Sequence, residues 1–333
     1  MTEVRSYHGQ AVLKQPTWTW EVPVYFFTGG MAGASAGLAY VSGLRGNEVL
    51  ARRAWTVAAG AIAVSPPLLI SDLGRPERFL NMLRMFKVTS PMSVGSWILS
   101  ASGGATAVAA ANQWTGMFPR AAKAARPAAA VFGLPLSTYT AALIANTAVP
   151  VWHGGRRWLP FVFGSGAALS AGAAAVAFTP PEYAAPARRL ALGAAVVELG
   201  CKELMQRRLG ELGEPYEQGS AGRFSQLSRA CVATGTALLA WRGRSSRSAA
   251  AVAGGLLCAG ALTARLSILR AGVQSASDPK YVVGPQRGAI ERGERAGAAR
   301  RESKLRIIEP SIGSPATAEV DRDSAGGEPT AAH

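Results

Sequence analysis

Apolar runs of bilayer length alternate along this chain with short clusters of charged, aromatic and turn-forming residues. A helix needs roughly 20 predominantly apolar residues to cross the hydrocarbon core of a membrane. On that basis the runs predict about eight spans, at Val22–Leu44, Ala54–Ile70, Val94–Ala111, Ala128–Val149, Leu159–Phe178, Leu190–Met205, Arg229–Trp241 and Ala249–Leu269. The first, third, fourth, fifth and eighth are the clearest, while the second, sixth and seventh are short or interrupted by charge. The fold class read from this pattern is an all-α membrane protein, with about eight transmembrane helices arranged as helical bundles. Trp18, Trp20, Tyr25 and Phe26 mark the first run, and Trp152 and Trp158 bracket the loop between the fourth and fifth, where amphipathic rings prefer the headgroup layer. Pro66, Pro67 and Pro135 fall inside runs and predict kinks, because proline removes a backbone donor.

Polar ends flank the apolar block. Residues 1–21 read as an amino-terminal tail, 22–271 as the transmembrane domain and 272–333 as a polar carboxyl tail. The opening MTEVRSYHGQAVLKQPTWTW lacks the basic-then-apolar pattern of a cleavable signal, so the first run is expected to be retained. From Gly313 onward the chain cannot bury enough apolar surface to offset its ordering entropy, and disorder is expected there. The stretch SASDPKYVVGPQRG, from Ser275, suits docking on a partner. An even number of spans places both termini on one side. Loops on that side carry about 10 Lys and Arg and those opposite about 11, so the positive-inside rule ties. Lys280, Arg287, Arg292, Arg295, Arg300, Arg301, Lys304 and Arg306 tilt the termini weakly towards the cytoplasm. The expected location is a bacterial cell (inner) membrane, crossed many times.

Composition sharpens this reading. Length alone would allow two soluble domains, but 49% of the 333 residues are hydrophobic and only 17% charged. Ala and Gly dominate the runs, and small residues let helices approach closely in lipid. The net charge of +15 would suggest nucleic acid in a soluble protein. Here the cations sit at the ends of apolar runs and in the tail, which is the distribution of membrane anchoring and not of a nucleic-acid partner.

Few residues can hold a metal. Cys201, Cys231 and Cys258 form no CxxC and are too few for an iron–sulfur cluster or a closed zinc site. His8, His153 and His333 all lie outside the runs, so no facing pair can ligate an intramembrane haem. No metal site is expected. Ionisable residues within membranes are functional candidates. Glu21 stands at the entrance of the first run and Asp72 closes the second. Glu198 and Lys202 share a helix face at i,i+4, with Glu203 beside them, and this spacing equally suits a mutual ion pair. Arg265 lies within the eighth run, where it pairs across helices, snorkels or serves a ligand. Tyr139, with Thr138, Asn146 and Thr147, either hydrogen-bonds a ligand carbonyl or joins helices. The loop SDLGRPERFLNMLRMFKVTSPMSVGSW, from Ser71, reads as a turn at Asp72, Gly74 and Pro76 followed by an interfacial amphipathic stretch through Phe86.

Three segments, PTWTWEVPVYFFTGGMAGASAG, SDLGRPERFLNMLRMFKVTSPMSVGSW and STYTAALIANTAVPVW, together and in this order, resemble the NrfD/polysulfide-reductase membrane-subunit family. The resemblance spans roughly Pro16 to Asp278, and DPKYVVGPQRG is similar to members that work beside formate-dehydrogenase-type or other molybdopterin enzymes. It implies eight transmembrane helices and a bound quinone, usually menaquinone, among the first four. It also implies electron exchange with a docked iron–sulfur subunit, which often serves a molybdopterin catalytic subunit. The membrane subunit carries no haem or iron–sulfur cluster and is not catalytic alone. Within the resemblance, Tyr139 matches a fourth-helix tyrosine that hydrogen-bonds the quinone. Tyr25 falls near a first-helix polar ligand that is histidine in some relatives; at this departure from the family pattern Glu21, with Asp72 close to the same face, is the candidate for the proton-donating role.

Two other functions fit the residues. Glu198, Lys202, Arg265 and the proline-broken second run would suit a proton path in a proton-conducting or transporter module, although no clear internal repeat supports a stand-alone transporter. A purely structural membrane anchor would use none of these side chains.

Overall fold

The computed structural model describes residues 13–283, and among these every regular element is helical. Eight helices are long: α1 (Glu21–Leu44), α2 (Glu48–Ser71), α4 (Pro91–Thr115), α5 (Pro119–Ala145), α7 (Leu159–Phe178), α8 (Ala185–Leu209), α9 (Gly219–Arg242) and α10 (Arg247–Ser277). Two are short, α3 (Phe79–Met82) and α6 (Pro150–Gly154). Local sequence sets the helix starts. Asn47, Ser90 and Ser246 each accept a backbone N–H of the first turn, at 3.1, 3.4 and 3.2 Å, which satisfies a donor that has no partner within the helix. Prolines open α4, α5 and α6, where their missing N–H costs nothing.

Seven of the eight apolar runs fall wholly within one long helix each. The fourth overshoots, because Asn146 to Val149 turn out of α5 ahead of Pro150, a residue that disfavours helix in the position before it. Among the described residues, five helices are long and apolar enough to cross a membrane: α2, α4, α5, α7 and α10. The second run, expected to be short or interrupted by charge, is thus long and apolar enough, whereas α1, expected among the clearest, is diluted by its glycines, serines and threonine. Large apolar side chains in mid-helix, among them Val131, Leu134 and Val196, are exposed. An apolar exterior of this kind belongs in lipid.

The interior is knit by small residues. At Gly33 of α1 and Gly133 of α5 the two backbones touch, so that a Cβ on either would collide with the other's carbonyl. Ser137 Oγ donates nearby to Gly133 O at 2.9 Å and Gly30 O at 3.3 Å. Thr28 and Ser65 share a buried 2.9 Å hydrogen bond between α1 and α2.

One end of the bundle collects three connecting segments and both ends of the described chain. There Gln15 donates to Ser277 Oγ (2.8 Å), Trp18 stacks on Trp152 (5.5 Å), Thr19 bonds Asp72, and Lys280 pairs with Glu214 (2.7 Å). At the opposite end Asn47 donates to Tyr183 O (2.9 Å). The first and last described residues thus lie at the same end. Asp72 to Arg75 form the expected turn, with Gly74 at φ 64°. The interfacial stretch is shorter than its pattern suggests, a 3-10 turn at Pro76–Arg78 running into one turn of α3. α10 continues to Ser277, beyond the expected boundary at Ala271. Residues 278–283 bind back onto this chain, since Lys280 and Tyr281 both reach Glu214. The disorder expected from Gly313 lies outside the described residues.

Candidate functional site

The α1–α5 crossing positions the site. From the Gly33–Gly133 contact, Tyr25 lies eight residues back along α1 and Tyr139 six residues forward along α5. Because the helices are antiparallel, both rings move towards the same end, by about 12 and 9 Å at ~1.5 Å per residue. They meet in one cavity of about 60 Å³, closed by Trp18, Val22 and Phe26 on one side and by Met82, Met92 and Ser96 on the other. Leu69, Asp72 and Leu73 complete its rim.

Each tyrosine is held differently. Tyr25 is fully buried, and its hydroxyl finds no hydrogen-bond partner among the described residues. Such a group carries a desolvation penalty of ~1–3 kcal/mol until something accepts from it. Tyr139 is half-buried, and its ring lies directly against Gly95 of α4, where any Cβ would overlap ring carbons. A wall of aromatic edges backs the cavity, with Phe26 at 6.4 Å from Trp18 and 5.7 Å from Phe163.

Asp72 reaches the cavity from the end of α2, and Glu21 stands one hydroxyl away. Thr19 Oγ1 contacts both Glu21 Oε2 and Asp72 Oδ1, the latter at 3.2 Å, and its backbone N–H donates to the same Asp72 oxygen at 3.4 Å. One hydroxyl hydrogen cannot serve two carboxylates at once. The three side chains therefore form a short polar chain from the bundle surface to the cavity rim.

The remaining candidates form a second cluster deeper in the bundle. Glu198 is completely buried and Lys202 nearly so, with 3.6 Å between Oε1 and Nζ. Lys202 donates to Ser228 Oγ and Ser228 to Gly260 O, both at 2.8 Å. Neither Glu198 oxygen has a hydrogen-bond partner among the described residues. Arg265 donates to Phe163 O at 2.9 Å and lies 4.0 Å over the Phe163 ring. Gly166 leaves the room beside which the Arg265 guanidinium and Glu198 Oε1 both sit. Phe163 touches both Phe26 and Arg265, so the two clusters are neighbours through a single aromatic ring.

Outside the spans, the Lys280 hydrogen bond holds the Glu214 carboxyl below its ordinary range. Burial first, and then the bond to Glu214, pushes Tyr281 up to about 12. Cys201, Cys231 and Cys258 are free thiols.

Sequence reasoning brought Tyr25, Tyr139 and Asp72 forward, and the structure gathers all three in one cavity with Glu21 adjacent. It passed over Gly95, the Gly33–Gly133 pair, Thr19 and Ser228. A glycine within an apolar helix was the available signal for the first three, but glycines are so abundant in this chain that the signal does not discriminate.

Fold and cavity define an all-α integral membrane protein with a small, largely apolar pocket near one end of its bundle, into which two tyrosines and Asp72 bring polar groups. The polysulfide reductase model of the NrfD type matches residues 6–278. The chain belongs to this family of membrane subunits of multisubunit redox complexes. No curated protein matches the chain in a sequence comparison.

Proposed function

We propose that this chain is the quinone-interacting membrane anchor of a multisubunit oxidoreductase. It passes electrons between a quinone pool, in this reading menaquinone, and an iron–sulfur partner serving a molybdopterin subunit. All eight long helices cross the membrane in this account. The observation that carries the reading is the Tyr25 hydroxyl, buried and without an acceptor on the wall of a cavity it shares with Tyr139. Two phenols facing one small space suit the carbonyl oxygens of a ring, and the apolar lining suits its hydrocarbon.

The residues fit a quinone headgroup in kind, while the cavity is small. A site of 60 Å³ has room for a few waters, each needing ~10–15 Å³ by the same measure. Ligand sites are typically ~300–1,000 Å³. Binding therefore requires the Met82 and Met92 side chains, both flexible, to swing outward with the loop that carries α3. A bound quinone supplies the two-electron, two-proton chemistry. Tyr25 and Tyr139 orient the ring by donating to it, and Phe26 and Trp18 exclude water from its back. Asp72, Thr19 and Glu21 carry protons between the aqueous end and the rim.

The test substitutes Tyr139→Phe in the assembled complex. Quinone turnover should fall at least tenfold while the partner subunits remain bound. Unchanged turnover with intact assembly would favour a structural anchor. The buried Glu198–Lys202 pair beside Arg265 supports a second, compatible role as a proton path, tested by whether Glu198→Gln uncouples proton release from turnover in vesicles.

A further inference from the structure

A second cleft, distinct from the tyrosine cavity, opens where α6 and the start of α7 meet the last turn of α8. It measures about 560 Å³ and is lined by Arg156, Arg157 and Arg208, with Trp158 and Phe161 at its edge. All three arginines are exposed. Arg156 donates to His153 O at 3.0 Å, and among the described residues none of the three pairs with a carboxylate. Three unneutralised guanidiniums around one cleft make an anion site.

The cleft shares one wall residue, Phe161, with a neighbouring groove. This second hollow, of about 510 Å³, lies between α7 and α8 and is floored by Thr138 of α5. Gly164, Ser165, Ala168 and Gly193 give it an apolar, small-residue lining, with Arg189 closing its far end. From Phe161 to Ala168 the groove follows α7 for about 10 Å. Phe161 itself is exposed beside this groove, which lies on the lipid-facing surface of the bundle.

We propose that cleft and groove together bind one anionic phospholipid, its phosphate among Arg156, Arg157 and Arg208 and an acyl chain in the groove. A basic pocket at the headgroup level continued by an apolar channel matches the two chemical halves of that ligand. An acidic partner protein would satisfy the arginines and leave the groove empty, and free phosphate would do the same.

The experiment is native mass spectrometry of the full chain in mild detergent, with phosphatidylglycerol or phosphatidylcholine of matched acyl chains. Three cations near a membrane surface predict a preference for phosphatidylglycerol on the order of a hundredfold. Replacing all three arginines with glutamine should abolish that preference. Gly193→Leu should weaken binding of both lipids, because a side chain there enters open space within the groove. Equal binding of the two lipids to the unaltered chain overturns the proposal without recourse to any variant. So does a preference that survives loss of the arginines, displacement of lipid by inorganic phosphate alone, or binding indifferent to Gly193→Leu.

Discussion

Tyr25→Phe separates a ligand-binding hydroxyl from a merely buried one. In the ligand-free protein the hydroxyl is fully buried and unpaired among the described residues. Its removal should therefore stabilise the fold by about 1 kcal/mol, the low end of the ~1–3 kcal/mol attached to an unsatisfied buried polar group. With quinone present the same hydroxyl donates to the ring, and losing that bond should weaken binding by about tenfold, or ~1.4 kcal/mol. A ligand at 100 times its Kd stabilises by ~2.7 kcal/mol, and at ten times by ~1.4 kcal/mol. The variant should thus start higher and gain only about half as much from the ligand. Thermal scans of the solubilised complex, with and without a soluble quinone analogue and at one fixed heating rate, read both quantities. A variant that is less stable without ligand, and gains the full increment with it, would refute the reasoning.

Other expectations follow from the same geometry. Gly95→Ala should drive the Tyr139 ring out of its seat and reduce quinone turnover to the level of Tyr139→Phe, whereas Gly104→Ala, whose Cβ meets open space, should be silent. Lys202→Met leaves Arg265 as the one cation near the buried Glu198 and should lower stability by about 3 kcal/mol, the low end for a broken buried pair, while the double variant Glu198→Leu/Lys202→Met should recover part of the loss, Arg265 keeping its contacts with Phe163. Denaturation of the unaltered protein and the two variants side by side checks this, and a double variant as unstable as the single one would deny the pair. Residues 278–283 should dock in a pH-dependent way. The Glu214 carboxyl is depressed in the folded state, so its contribution is present above the unfolded value of ~4.3 and fades as pH falls through the lower folded value. Lys280 is raised and Tyr281 pushed up to about 12, so their contributions hold below their unfolded values and fade as pH rises through the folded ones. Hydrogen exchange at Tyr281 and Val282, corrected for intrinsic pH dependence, should show protection across the neutral range and loss of it at both extremes.

Much of this architecture is legible in the sequence because lipid imposes a simple rule. A span must be apolar over a fixed length, so the runs from Val22 to Leu269 mark the helices even where Pro66 and Pro67 interrupt one. The rule is silent about what helices do once inside. Nothing in the spacing of Gly33 and Gly133 announces that these two, among so many glycines, bring α1 and α5 into backbone contact. That contact decides that Tyr25 and Tyr139, more than a hundred residues apart, share a cavity. Asp72 could be placed at a membrane boundary from its turn residues, yet its link to Glu21 passes through Thr19, a residue without a distinctive pattern. The Glu198–Lys202 pair was legible because i,i+4 spacing is local; its continuation through Ser228 to Gly260 depends on helix packing and was not. The reach of Lys280 and Tyr281 to Glu214 is likewise a tertiary contact that no local pattern encodes.

The measurement that bears most directly on the central claim is purification of the tagged chain from its native membrane in mild detergent, with protein partners identified and bound lipids extracted. The account predicts a cysteine-rich iron–sulfur protein in stoichiometric amount and a quinone in the extract, lost from the Tyr25→Phe/Tyr139→Phe variant while the partner is retained. A stable preparation carrying neither redox partner nor quinone would contradict it and place the buried Glu198–Lys202–Arg265 cluster, as a transport path, at the centre of the protein's function.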